Sequence, residues 1–145
     1  MAYKVFTEGL HQINSKNVDW VNDVFKLCLL SSSYSFDIES TTMTPLAAGR
    51  LGTDITVGAT KTIVKDAANH FTFWKTTATM KWNTGVEAPA SGTVVAVALY
   101  KFITNDAGST PICYFDPTDL VSNGGDITFQ CASDANGGMF KLSST

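Results

Sequence analysis

Charge is scarce in this chain. Only 16% of its 145 residues are charged, against about 25% in an average soluble domain. Arg50 is the sole arginine among ten basic residues, and the formal net charge is −3. Bidentate readout of phosphate or guanine wants arginine, and non-specific duplex binding wants a dense basic face. Nucleic acid is therefore not an expected partner. Cysteine is scarce as well: Cys28, Cys113 and Cys131 are an odd count, each set in an apolar run. That spacing is no disulfide framework and reads as small buried hydrophobes in a reducing compartment. No run approaches the ~18 apolar residues that would span a bilayer. Polar residues also follow Met1-Ala2-Tyr3-Lys4-Val5-Phe6 too early for the apolar middle of a signal peptide. The expectation is a soluble protein made in a cytoplasm, with no membrane partner.

What the chain does have is apolar and aromatic material, at 44% and 11%. Disordered chains are charge-rich and poor in aromatics, so disorder is excluded. The length suits one domain, 1–145, large enough to bury a core without disulfide staples. Phe6, Leu10 and Ile13 recur at near-helical spacing, which predicts one short N-terminal helix with Thr7 as its cap, weakened by Gly9. A turn-like connection follows at 18–23. From Val24 the period becomes two, placing Phe25, Leu27 and Leu29 on one face of a strand and Lys26 on the other.

A long Ser-, Thr-, Gly- and Pro-containing loop, 31–53, exceeds the ~12–15 residues usual for a structureless connection. It reads as a contact loop. Further strands are expected at 60–65, 70–75, 78–82, 93–100, 112–115, 127–131 and 139–143, about eight in all. The run Thr93-Val94-Val95-Ala96-Val97-Ala98-Leu99-Tyr100 is apolar on both faces and reads as a central strand covered on each side. Dense turn signals without alternating helices predict an all-β antiparallel sandwich, jelly-roll or Ig-like. The segment 93–102 and the loop are the expected contact regions.

The search for chemistry yields no catalytic, cofactor or metal residue. Asp116 and Asp119 flank Pro117, and Asp37 lies near Glu39; such pairs share protons or hold Ca²⁺ in other proteins. Here they lack the oxygen ladder of a calcium loop and read as turn caps. A Cys–His pair could be assembled from Cys28, Cys113 or Cys131 with His11 or His70, yet apolar surroundings make a thiol inert. No C-x-x-C or H-x-x-x-H spacing supports a metal. Gly49-Arg50-Leu51-Gly52 and Gly137-Gly138 lack the ending of a phosphate loop and read as turns. Ser31, Ser32 and Ser33 have no nucleophile-elbow glycines. Trp20, Trp74 and Trp82 suit a sugar-stacking platform, or core and interface anchors, the second being commoner for aromatics at alternating strand positions.

Three stretches carry a resemblance. The first is Tyr3-Lys4-Val5-Phe6 with Val18-Asp19-Trp20-Val21-Asn22-Asp23 and the apolar strand running on to Ser31-Ser32-Ser33-Tyr34. The second is Ala96-Val97-Ala98-Leu99-Tyr100 with Pro111-Ile112-Cys113-Tyr114-Phe115-Asp116, and the third is Ile127-Thr128-Phe129-Gln130 with Gly137-Gly138-Met139-Phe140-Lys141-Leu142. In these the chain resembles small structural proteins of tailed bacteriophages. The resemblance implies a virion component at the capsid surface, a decoration or cement protein that binds the major capsid protein. Such proteins associate as homo-oligomers, often trimers, and carry no catalytic residue. A tail- or fibre-associated module recognising a host-surface glycan through exposed Trp and Tyr is the alternative. A small hydrolase ranks last, for want of a nucleophile and base.

Overall fold

The computed structural model describes residues 2–58, 61–67, 71–76, 80–129 and 138–143. Of the sequence expectations, Thr60, His70, Ala78, Gln130, Cys131 and Gly137 lie outside these. The architecture is all-β, antiparallel and sandwich-like, with one short α-helix among the described residues. In chain order the elements are β1 (Ala2–Val5), α1 (Thr7–Asn14), β2 (Phe25–Leu30), a 3-10 helix (Thr44–Gly49), β3 (Arg50–Thr56), β4 (Lys61–Asp66), β5 (Phe71–Thr76) and β6 (Met80–Trp82). There follow β7 (Gly92–Val94), β8 (Ala96–Lys101), β9 (Thr110–Asp116), β10 (Leu120–Ser122), β11 (Ile127–Phe129) and β12 (Gly138–Ser143).

The main sheet has five strands in the order β1-β9-β8-β2-β3. β8 is its middle strand, and Ala96 through Tyr100 are all buried. The apolar run thus lies where a strand must be covered on both faces. The same burial leaves Ala96–Tyr100 no outward surface for a contact. It is also shorter than expected: Gly92–Val94 pairs with β10 in a separate ribbon, and the chain changes sheets at Val95, whose N–H donates to Leu30 O at 2.8 Å. β11 pairs with β6, and β12-β5-β4 form a three-stranded sheet.

Period-two alternation sorts the main sheet's side chains into two cores. On the inner face Phe25, Leu27, Leu29, Val97, Leu99 and Phe115 pack with Trp74, Met80, Trp82, Ile127 and Phe129 from the facing strands. On the outer face Cys28, Leu30, Ala96, Ala98 and Tyr100 pack with Phe6, Tyr34, Met43 and Leu46.

The long loop is therefore more structured than its composition predicts. Its last part is the 3-10 helix and the first half of β3, and 31–49 form a strap that closes over the outer face. Ser31 N–H donates to Gly49 O at 2.7 Å across its base, and Met43 N–H reaches Asp106 O at 3.0 Å and Ser109 O at 3.1 Å. Gly49 has to be glycine: a Cβ there would stand 2.4 Å from Tyr34 Cβ.

The helix forms where its apolar spacing places it, with two differences. Phe6, in extended conformation, occupies the N-cap position without a side-chain bond. Thr7 is already helical, and its Oγ1 donates to Glu39 Oε1 at 2.7 Å, tying the helix to the strap. Gly9, unfavourable to a helix by propensity, is the point at which α1 rests on β9. A Cβ there would come within 2.9 Å of Ile112 Cα and of two backbone oxygens.

Candidate functional site

Polar side chains converge around Arg50 on the outer side of the main sheet. β2 and β3 fall out of register between Leu27 and Leu29, so residues 52–54 of β3 oppose Cys28 alone. This bulge begins at Gly52, whose φ of +65° suits glycine. It brings Asp54 beside Arg50 and beneath Tyr100. Arg50 donates through Nη1 to Asp106 Oδ2 at 3.1 Å and through Nη2 to Asp106 Oδ1 at 3.0 Å, a bidentate fork. Its Nε lies 3.5 Å from Asp54 Oδ1, a charge contact without hydrogen-bond alignment. Tyr100 Oη donates to Asp54 Oδ2 at 2.5 Å.

The electrostatics are those of a fastening. Burial pushes the Cys28 thiol up to about 12, with the Asp54 charge acting the same way. Such a sulfur is no nucleophile at neutral pH. Burial also raises the Asp54 carboxyl, against the opposing pull of Tyr100 and Arg50. The Tyr100 phenol is raised by burial and by its bond to Asp54, so it acts as a donor. Burial disfavours the Arg50 charge, but Asp54 and Asp106 more than offset this and hold it protonated. Both terminal nitrogens of the guanidinium are occupied by one internal carboxylate. Chemically, the arrangement locks three pieces of chain together: β3, β8 and the 102–109 loop.

The residues singled out from sequence fall as follows. Cys28 and Cys113 are fully buried, whereas His11 is exposed on α1; the structure does not bring them together at a shared surface. Asp116 and Asp119 are exposed and, after burial, help to raise the Tyr114 phenol. Asp37 Oδ1 caps the Glu39 N–H at 3.0 Å, the turn role expected of it. Asp19 is a turn cap too, accepting the Val21 and Asn22 N–H groups at 3.0 Å each. Its carboxyl is lowered by the side chain and backbone of Asn22. Ser31 Oγ donates to Gly49 O at 3.2 Å, within the strap base. Among the described residues, no three His, Cys, Asp or Glu side chains are grouped to hold a metal ion. No helix among them is long and apolar enough to cross a membrane.

The tryptophans are core anchors. Trp74 is 2% exposed and Trp82 0%, which removes both from a solvent-open stacking platform. Trp20 is half-buried, stacked on Phe25 at 5.2 Å, and its carbonyl accepts Trp74 Nε1–H at 2.8 Å. Trp82 Nε1 is buried with no hydrogen-bond partner among the described residues. The more open aromatic group comprises Phe36 and Tyr114, 4.7 Å apart, with Lys4 Nζ 4.7 Å over the Phe36 ring. Phe6 packs against Phe36 at 5.2 Å, so the Phe36 ring is engaged within the protein itself.

Sequence reasoning missed the clasp formed by Arg50, Asp54, Tyr100 and Asp106. One signal was available: the sole arginine lies within the long 31–53 loop. Compared with protein-family models, with curated proteins and with solved structures, the chain matches none. The class that stands is the all-β, sandwich-like domain.

Proposed function

We propose that this chain is a structural virion protein of a tailed bacteriophage, a decoration or cement protein that binds the major capsid protein at the head surface and acts as a homo-oligomer. The observation that supports this reading is that the main sheet is covered on both faces. The Arg50 cluster ties β3 and β8 to the 102–109 loop, and Met43 of the outer cover bonds to that loop at Asp106 O. Such a chain is built as a rigid block, and lattice binding depends on area and shape. With β8 buried, contact falls to outward residues of the strap such as Ser32, Ser33, Asp37 and Ile38, and to exposed apolar residues such as Val86 and Val121. The glycan-binding alternative loses Trp74 and Trp82 as its platform.

The test is the copy number of this protein in purified virions, by quantitative mass spectrometry relative to the major capsid protein. A count of the same order as the capsid protein supports the cement reading. A few copies per particle moves the protein to the tail or a vertex, and absence from particles overturns both placements.

A further inference from the structure

The turn Asn123-Gly124-Gly125-Asp126 joins β10 to β11 and belongs to neither core. Asn123 is exposed. Gly124 follows it at φ +82°, and the nearest neighbour to a Cβ built there is Ala90 O at 3.7 Å. Two hydrogen bonds surround the Asn123–Gly124 peptide. Gly125 N–H donates to Asn123 Oδ1 at 3.0 Å, drawing electrons from the side-chain carbonyl carbon. Gly124 N–H donates to Ser122 Oγ at 3.4 Å. Ser122 Oγ in turn directs its own hydrogen to Pro89 O, at 2.5 Å, which leaves its lone pairs to accept.

Attack of the Gly124 nitrogen on Asn123 Cγ needs a donor on the oxygen that gains charge and an acceptor near the departing proton. The turn supplies both. We propose that Asn123 is a site of spontaneous deamidation in the folded protein, through a cyclic succinimide formed with Gly124. The Gly124 N–Cγ bond forms, the Cγ–Nδ2 bond breaks, and the Gly124 proton leaves with Nδ2 as ammonia. Water then adds to one of the two ring carbonyls and opens the ring. Opening at one gives aspartate; opening at the other gives isoaspartate, whose backbone is one carbon longer. The step needs water alone and changes no oxidation state.

Either product places a new carboxylate close in sequence to Asp126. Asp126 accepts from the Thr84 N–H at 2.8 Å and pairs with Lys81 at 2.6 Å. Isoaspartate also lengthens a turn whose Gly124 and Gly125 amides are both bonded within it. The product therefore loosens the link between the β10–β11 turn and the 83–89 loop.

The experiment is timed incubation of the full folded chain in mildly alkaline buffer, followed by peptide mapping that separates isoaspartate from aspartate. An exposed turn needs little opening free energy, so the folded chain is expected to convert at Asn123 within about tenfold of the rate in the urea-unfolded chain. Ser122→Ala should slow conversion in the folded chain and leave the unfolded rate unchanged. Asn123→Gln should abolish the mass change at this turn, because the ring it would need is larger and closes poorly. Conversion confined to the unfolded chain would overturn the proposal. An unchanged folded-state rate in Ser122→Ala would overturn the part given to Ser122.

Discussion

The two faces of the main sheet are covered in different ways. The inner face meets other strands: Phe25, Leu27, Leu29 and Leu99 interdigitate with Trp74, Trp82 and Phe129, large side chain against large side chain. The outer face presents small residues, Cys28, Ala96 and Ala98, beside Leu30 and Tyr100, and the 31–49 strap lies over it. The facing strands are ordered by their own ladders, whereas the strap has none of comparable length. Apolar burial is non-directional and does not by itself choose one placement for such a segment. The Met43 N–H bonds and the Ser31–Gly49 closure provide the direction, and the Arg50–Asp106 fork anchors to β3 the loop that Met43 bonds. A sheet face covered by another sheet is held by packing; a face covered by a strap needs named polar fastenings as well.

The inner face should be the more sensitive. Leu99→Ala, at a fully buried site, should cost about 2–5 kcal/mol in denaturant unfolding. A loss below about 0.5 kcal/mol, as at ordinary surface positions, would break the ranking of the two faces. Gly49→Ala comes next. Its Cβ would press on Tyr34 in the strap, with an expected loss of about 1–3 kcal/mol from overpacking. Protease cleavage within 31–49 should increase while amide exchange in β2 and β8 stays slow; loss of protection in both would show that the strap and sheet unfold as one unit.

Arg50→Met keeps the length of the side chain but leaves Asp54 without its cation and Asp106 without its fork. The expected loss is about 1–2 kcal/mol, below that of a fully buried pair because Asp106 is a third exposed. Restoring stability with a second change, Asp54→Asn, would show that the unpaired charge carries the cost. The smallest effect belongs to Asp126, whose carboxyl is held down at about 2, by Lys81 first and then by Thr84. Because this pKa is depressed in the folded state, its contribution is present above the ordinary carboxylate value of about 3.9. It is lost as pH falls toward about 2. The amide shift of Thr84 followed by NMR should titrate in that window, and Asp126→Asn should remove the transition.

Much of the strand pattern is legible in the residues. Lys26 interrupts the apolar run of β2 on the outer face, and the alternation around it predicts which side chains enter the inner core. The two-sided burial of β8 follows from a run of apolar residues with no polar alternate. What escaped was non-local. β1 and β10 are short, and they pair with β9 and β7, which are distant or separated in the chain. β3 contains Gly52 and Thr53 within a bulge, so its alternation is broken just where it would be read. The Arg50 clasp joins positions up to 56 residues apart, and no local spacing announces it.

Composition, alternation and turn residues by themselves determined that this chain is an all-β domain with a doubly covered central strand, because burial preference and backbone geometry act over a few neighbouring residues. Only the tertiary structure decided what covers each face. It folded the 31–49 segment into a strap over the outer face, placed two tryptophans in the core, and made one arginine a clasp. Those outcomes depend on which distant segments meet, and a charge or an indole has the same local signature whether it ends on the surface or inside.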